Sequence, residues 1–205
     1  MSDTRPTVFV VDDDPSVRKA LERSIRAADL NVKTFTCAAE FLDHGPPEGP
    51  ACLVLDIRMP GLNGLDLQAE LNSRNFRTPV IFITGHGDVP ASVKALKGGA
   101  VDFLLKPFNW SDLLRSIHQA LEQDEALQAI RAEEAEVRCR IQTLTPRERE
   151  VLDLVVKGLL NKQIAIQLGA AERTIKVHRG RVMHKMEVQS VADLVRAVER
   201  VKADG

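Results

Sequence analysis

The chain has 205 residues, 44% of them apolar and only 4% aromatic, which suits an ordinary globular protein of one large or two modest domains. Three cysteines (Cys37, Cys52, Cys139) lie far apart without metal-ligand spacing, which argues against a disulfide framework and for reduced thiols, and no apolar run approaches the ~20 residues of a membrane helix. A net charge of −1 hides an asymmetry: residues 1–122 hold 13 Lys and Arg against 16 Asp and Glu, residues 123–142 hold 3 against 5, and residues 143–205 hold 12 against 8.

Thr7-Val-Phe-Val-Val11 is a fully apolar run of strand length that ends in Asp12-Asp13-Asp14-Pro15. Pro15 suits the first turn of a helix and Asp14 can cap it, after which Val17, Ala20, Leu21, Ser24 and Ile25 recur at helical spacing. Asn31–Phe35 alternates weakly and reads as a second strand, and Phe41-Leu42 sits in a short helix stopped by Gly45-Pro46-Pro47. Cys52-Leu-Val-Leu55 then delivers a lone carboxylate, Asp56, before Met59-Pro60-Gly61, which cannot continue a strand. A helix from Gly64 to Leu71, a strand from Thr78 to Thr84, a helix from Val89 to Leu96 and a strand from Val101 to Leu105 follow. Strands alternating with helices of this length predict βαβ units and a parallel sheet covered on both faces.

In such a sheet, ligand sites form beyond the carboxyl ends of the strands. The first strand offers Asp12 and Asp13 there, the third Asp56, the fourth Thr84 and the fifth Lys106. Converging carboxylates repel unless a hard cation neutralises them, and Mg²⁺ takes one or two carboxylates while accepting phosphate oxygens. A carboxylate beside it can attack a phosphoryl group, with Lys106 balancing charge and Thr84 donating a hydrogen bond to the transferred group. Singly, each of these residues is an ordinary cap or loop residue; four strand ends each offering the right group make the case.

Between Asn109 and Thr145 there is neither Gly nor Pro, and the composition favours one long helix, with Ser111 as its expected cap. Leu127, Ile130, Val137, Ile141 and Leu144 keep a spacing of three and four, interrupted at Glu134, so the segment reads either as an exposed connecting helix or as a coiled-coil seam. Thr145-Pro-Arg-Glu148 is a capping box with Pro at the first helical position, and Val151, Leu152, Val155 and Val156 form the buried stripe. Asn161 is expected to cap a helix from Lys162 to Leu168, closed by Gly169; a helix from Glu172 to Met186 and another capped by Ser190, running from Val191 to about Val201, complete the chain. Two short helices joined by a tight turn read as a helix-turn-helix. In the third of these helices Ile175, Val182 and Met186 share an inward face, leaving Arg173, Lys176, Val177, Gly180, Arg181 and His184 outside, a basic face of the kind a DNA major groove and its phosphates require.

Val10-Val-Asp-Asp13, Leu55-Asp-Ile-Arg-Met-Pro-Gly61, Ile83-Thr-Gly-His86 and Leu105-Lys-Pro-Phe108 make residues 1–122 resemble the receiver domain of two-component response regulators. Thr84-Gly-His-Gly-Asp-Val-Pro90 and Ala100-Val-Asp-Phe103 resemble its FixJ/StyR branch. The resemblance implies a flavodoxin-like, doubly wound five-stranded domain in which a histidine kinase phosphorylates Asp56. It also implies that Asp13, Asp56 and the Arg58 carbonyl bind Mg²⁺ directly and Asp12 through water, that Phe103 is the aromatic switch, and that Arg58 and His86 tune dephosphorylation.

Residues 143–205 resemble the LuxR/FixJ-type DNA-binding domain through Leu144-Thr-Pro-Arg-Glu-Arg-Glu-Val-Leu152, Gly158-Leu-Leu-Asn-Lys-Gln-Ile-Ala165 and Arg173-Thr-Ile-Lys-Val-His178. That implies an all-α four-helix domain with Lys176 and Val177 nearest the base edges, Lys162, Thr174, His178 and Arg179 at or near phosphates, and Arg173 and Arg181 on the same basic face. Ala171, Leu160 and Glu187 depart from the capping Ser, the Ser or Thr and the helix-ending Gly usual in the family, and Gly180 in mid-helix costs about 1 kcal/mol. Residues 123–142 are the helical linker between the two domains.

The expected function is that of a DNA-binding regulator whose phosphorylation at Asp56 favours dimerisation, near the fourth helix and fifth strand, and binding to paired half-sites on double-stranded DNA. The expected partners are a sensor histidine kinase, a second copy of the chain, DNA and, as a further candidate, RNA polymerase. The expected setting is cytoplasmic, without membrane association or signal peptide, and the only catalysis anticipated is slow self-phosphorylation and self-dephosphorylation. Two alternatives stand beside it: a regulator controlled by protein contact rather than phosphate, and a magnesium-dependent phosphatase in which Asp12 and Asp14 form the Asp-x-Asp pair.

Overall fold

The structure is a computed structural model that describes residues 5–203 except 46, 48, 75 and 86–88, and only the backbone of residues 89–92 and 203. The chain divides into two compact units, one up to Gln128 and one from Ala129.

In the first unit β1 (Thr7–Val11), α1 (Pro15–Ala27), β2 (Asn31–Phe35), α2 (Ala38–His44), β3 (Ala51–Asp56), α3 (Gly64–Ser73), β4 (Val80–Thr84), α4 (Val89–Lys97) and β5 (Asp102–Leu105) alternate without exception, followed by the start of α5 (Trp110–Gln142). Among the described residues the sheet has five strands in the order β2-β1-β3-β4-β5, every pair parallel. Successive strand residues point to opposite faces, and both faces are buried here. Val8, Val10, Cys52, Val54, Ile81 and Ile83 pack against Leu21 and Ile25 of α1 and Leu113, Ile117 and Leu121 of α5. Phe9, Val11, Leu53, Leu55 and Phe82 pack on the other side against Phe41 of α2, Leu67 and Leu71 of α3, and Ala95 of α4. This doubly wound arrangement explains why the strands read as continuous apolar runs. The register pairs Val11 with Leu55 and Thr84 with Leu105, so the ends of four neighbouring strands lie side by side.

Local signals account for most boundaries. Asp14 caps α1 by accepting from the Ser16 N–H at 2.7 Å, ahead of Pro15 at the first helical position. Asn63 caps α3 through the Asp66 N–H, and Gly45 ends α2 at φ +79°. The expected cap of α5 shifts: the helix begins at Trp110, so Ser111 lies inside its first turn. The Asp112 N–H reaches back to the Asn109 carbonyl and Asn109 Nδ2 meets the Asp112 carboxylate, so Asn109 holds the entry.

The second unit contains the later part of α5, then α6 (Pro146–Val156), α7 (Asn161–Leu168), α8 (Glu172–Lys185) and α9 (Val191–Ala203). Its core joins Leu144, Val151, Leu152, Val155, Ile164, Ile175, Val182, Met186, Leu194 and Val198, with Val137 and Ile141 packed against it. The seam read along the connecting segment is therefore divided: Val137, Ile141 and Leu144 serve this core, whereas Leu127 and Ile130 remain exposed. The capping box forms as expected, Thr145 Oγ1 accepting from the Glu148 N–H and Glu148 accepting from the Thr145 N–H at 2.9 Å. Gly169 closes α7 in the left-handed region and Ser190 caps α9.

Asn161 is not a cap. Leu160 holds the N-cap position of α7, its N–H satisfied by the Gln163 side chain at 2.8 Å. Glu187 adopts φ +54° after α8, a backbone region that costs a non-glycine residue about 1 kcal/mol or more. Arg140 braces that turn, donating to the Met186 carbonyl and to the Glu187 carboxylate at 2.8 Å.

Candidate phosphoacceptor site and nucleic-acid interface

The ends of β1, β3, β4 and β5 bring Asp12, Asp13, Asp56, Thr84 and Lys106 to one edge of the sheet. One oxygen from each of Asp12, Asp13 and Asp56 lies within 4.8 Å of the others. Asp12 is fully buried, Asp56 and Thr84 nearly so, and Asp13 is exposed. Lys106 Nζ donates to Asp12 Oδ2 at 2.7 Å and stands 3.6 Å from Asp56 Oδ1. The other Asp12 oxygen accepts from the Asp14 N–H at 2.8 Å, while Arg18 donates to the Asp12 carbonyl. Backbone bonds lock the frame: Ile57 N–H to the Ile83 carbonyl, and Lys106 N–H to the Thr84 carbonyl at 2.7 Å.

The electrostatics leave Asp56 undercompensated. Burial pushes its carboxyl above the ordinary range, Lys106 pulls it back, and Asp12 and Asp13 push it up again. Three carboxylates share one ammonium, so the residual charge is about −2, and a divalent oxygen-seeking cation is the natural complement. Of the expected ligand set, Asp13 and Asp56 have carboxylate oxygens available, whereas both Asp12 oxygens already accept hydrogen bonds.

Phe103 is half-buried against the Phe82 side of the core and pairs with Phe82 in the sheet register. Arg58 is exposed. His86 lies outside the described residues. The phosphatase alternative loses its second acid: Asp14 is exposed, is absent from the carboxylate cluster, and is held below the ordinary range by the Ser16 N–H it caps.

Gly64, the first residue of α3, was not evident as part of this site. A Cβ there would sit 3.0 Å from Ile57 Cα and collide with the Asp56 carbonyl oxygen, so only glycine lets α3 start against the Asp56 backbone. Its N–H donates to the Ile57 carbonyl at 3.0 Å. Arg18, bonded to the Asp12 carbonyl, was likewise missed; as one cation of several on α1 it carries no distinguishing pattern in sequence.

In the second unit α8 buries Ile175 and Val182, as the turn after it buries Met186, and exposes Arg173, Thr174, Lys176, Val177, Gly180, Arg181 and His184. Lys162 is exposed on α7; His178 and Arg179 are half-buried. Arg179 donates to Asn161 Oδ1 at 2.8 Å, so the residue expected as a cap orients a cation of the next helix instead. The first turn of α8 has no side-chain cap at Ala171. Val177, 49% exposed in the middle of a cationic face, offers an apolar contact of the type that reads a thymine methyl.

The family comparisons agree with this division. Residues 8–118 match the response regulator receiver domain, and residues 142–198 match the bacterial regulatory proteins of the luxR family. Nodulation protein W of Bradyrhizobium diazoefficiens is 48% identical over 196 residues, covering 96% of this chain and 86% of the relative. Transcriptional regulatory protein FixJ of Azorhizobium caulinodans is 44% identical over 189 residues, covering 92% and 90%. Among solved structures, response regulator StyR superposes with a TM-score of 0.85 at 48% identity, over 96% of this chain and 99% of that one. Full-length FixJ from B. japonicum gives 0.57 at 39% identity, over 96% and 97%.

Proposed function

Because the chain belongs to the response regulators that join a receiver domain to a LuxR-type DNA-binding domain, we propose that Asp56 is the phosphoacceptor of a phosphorylation-gated transcription factor. In this reading residues 1–122 are the phosphoacceptor domain, 123–142 the linker and 143–205 the DNA-binding domain. A sensor histidine kinase in the same cytoplasmic compartment is the donor. An Asp56 carboxylate oxygen attacks phosphorus, the P–N bond of the donor phosphohistidine breaks, and the imidazole leaves with a proton. The single observation that carries the reading is the buried, undercompensated Asp56 beside Lys106 at 3.6 Å.

Asp13, Asp56 and the Arg58 carbonyl would hold Mg²⁺, with Asp12 behind a water because its own oxygens are engaged. The ion would supply charge neutralisation for the phosphoryl oxygens. Lys106 then pairs with a phosphoryl oxygen, and the Thr84 hydroxyl donates to another. Withdrawal of Thr84 toward the phosphoryl group makes room for Phe103 to turn inward, and this couples the site to α4 and β5. Val93, Leu96 and Leu105 on those elements are 45–50% exposed, an apolar set that supports pairing of two receivers there. Two copies of α8 then engage paired half-sites, with Lys176 and Val177 at base edges and Lys162, Arg173, Thr174, His178, Arg179 and Arg181 at or near the backbone. RNA polymerase is a candidate further partner of the bound dimer.

The test is mass and promoter-DNA affinity of the full chain with and without beryllofluoride and Mg²⁺, for wild type and Asp56→Ala. Dimerisation and tighter DNA binding in the wild type alone are expected. An unchanged wild type favours control by protein contact; a labile phosphoryl group on Asp12 overturns the assignment of Asp56.

A further inference from the structure

Three residues on one side of α3 touch the two parts of the receiver that the proposed switch must connect. Gly64 packs its bare Cα on the Asp56 carbonyl oxygen. One turn on, Gln68 is 5% exposed and donates from Nε2 to the Ala95 carbonyl of α4 at 3.2 Å. Another turn on, Asn72 donates from Nδ2 to the Gly98 carbonyl at 3.1 Å. Positions four apart stack along one helix side, so the three contacts lie on a single ridge.

The two acceptors belong to the C-terminal end of α4. The final carbonyls of a helix have no partner within it and must find one elsewhere. The Ala95 carbonyl receives the Ala100 N–H at 3.1 Å as well as the Gln68 amide, and the Gly98 carbonyl is met by Asn72. Gly98 is bare for a reason: a Cβ there would stand 2.9 Å from Gln68 Cδ and closer still to its Oε1. The Gln68 amide therefore occupies the space that a side chain at position 98 would need, while bonding to Ala95. A buried polar side chain with a specific acceptor and a matching gap is a fixed joint, and breaking it strands a buried amide.

We propose that α3 is a strut between the Asp56 backbone and the C-terminal end of α4, with Gln68 as the positioning residue that fixes this end of α4 while the phosphoacceptor site changes state. The strut rests on the reading of Asp56 as phosphoacceptor and adds a mechanical element to it. With its C-terminal end clamped, α4 responds to the site by pivoting there, so its Val93 and Leu96 face moves as one piece. Without the clamp the phosphoryl mimic still binds at Asp56, but α4 no longer adopts a single arrangement and the pairing face is lost from part of the population.

The test uses the full chain with beryllofluoride and Mg²⁺, reading mimic occupancy at Asp56 by fluorine NMR and dimerisation by sedimentation. Gln68→Met keeps the volume and removes the donor. It is expected to retain wild-type mimic occupancy while the dimer dissociation constant rises about tenfold, and Gln68→Glu, which keeps the shape, is expected to behave like it. Gly98→Ala should weaken dimerisation by displacing the amide, and adding it to Gln68→Ala should cost nothing further, since the displaced group is already gone. Wild-type dimerisation of Gln68→Met at full occupancy, or additive effects of Gly98→Ala and Gln68→Ala, would overturn the strut. A wild type that binds the mimic without dimerising defeats the phosphorylation reading itself, and loss of both signals in Gln68→Met would reduce Gln68 to a residue needed for folding.

Discussion

Each unit buries a carboxylate beside a lysine, and the two are held in opposite states. Glu148 in the second unit accepts from Lys185 Nζ at 2.7 Å and from the Thr145 N–H at 2.9 Å, which lower its pKa to about 2. Asp56 in the first unit is raised instead, because burial outweighs a lysine that stands 3.6 Å away and is bonded to Asp12. The difference separates a carboxylate that is finished from one that is waiting. Glu148 closes a helix start and ties α6 to α8 through a complete set of donors. Asp56 is left short of positive charge at a sheet edge, a deficit that a bound cation would make good.

Removing the unsatisfied charge should have the largest effect. Asp56→Asn is expected to abolish the response of mass and DNA binding to beryllofluoride. It should also raise the urea midpoint of the first unit in magnesium-free buffer, because an uncompensated buried charge is lost; fluorescence of Trp110, the only tryptophan, follows that unit. A lower midpoint would mean that Asp56 is as well paired as Glu148. Gly64→Ala drives a methyl into the Asp56 carbonyl and should destabilise the first unit by about 3 kcal/mol. Hydrogen exchange of α6–α8 amides should stay at wild-type rates in the same variant.

The next effect belongs to the second unit. Glu148→Gln removes charged hydrogen bonds and should cost about 2 kcal/mol, seen in amide exchange of α6 and α8. Its pH signature is distinct. The folded pKa of about 2 lies below the unbound value of 4.5, so the contribution is complete above pH 4.5 and drains away as pH falls toward 2. Wild-type amide protection in α6 should fall across that window and be flatter in Glu148→Gln. Asp56 has the reverse sign: with its pKa raised, the first unit loses stability as pH rises through that value. The smallest expected change is Lys176→Ala, an about tenfold loss of promoter affinity with no change in dimerisation. A variant that binds DNA as wild type does would move the interface off the exposed side of α8.

Much of this was legible because the signals are local. Alternation of apolar strands with helices, Asp14-Pro15 and Thr145-Pro146 at helix starts, and the acids, Thr84 and Lys106 at successive strand ends are all readable from neighbours in sequence. Errors appeared where a residue had more than one use. Asn161 has the chemistry of a cap but bonds Arg179, eighteen positions away, and Ser111 gave way to Asn109 by a shift of helix start. The seam from Leu127 to Leu144 looked like one surface, yet its later half is absorbed by a core made from α6–α9.

By itself the sequence determined the order of elements, the caps at Asp14, Thr145 and Ser190, and which chemical groups end each strand, since these follow from period, turn residues and side-chain type. Only the tertiary structure decided how charge is shared. Lys106 bonds Asp12 rather than Asp56, Arg18 turns to a backbone carbonyl, and Gly64, Gln68 and Asn72 line up between the Asp56 backbone and the end of α4. Distances and burial fix those outcomes, and both arise from contacts between residues far apart in the chain.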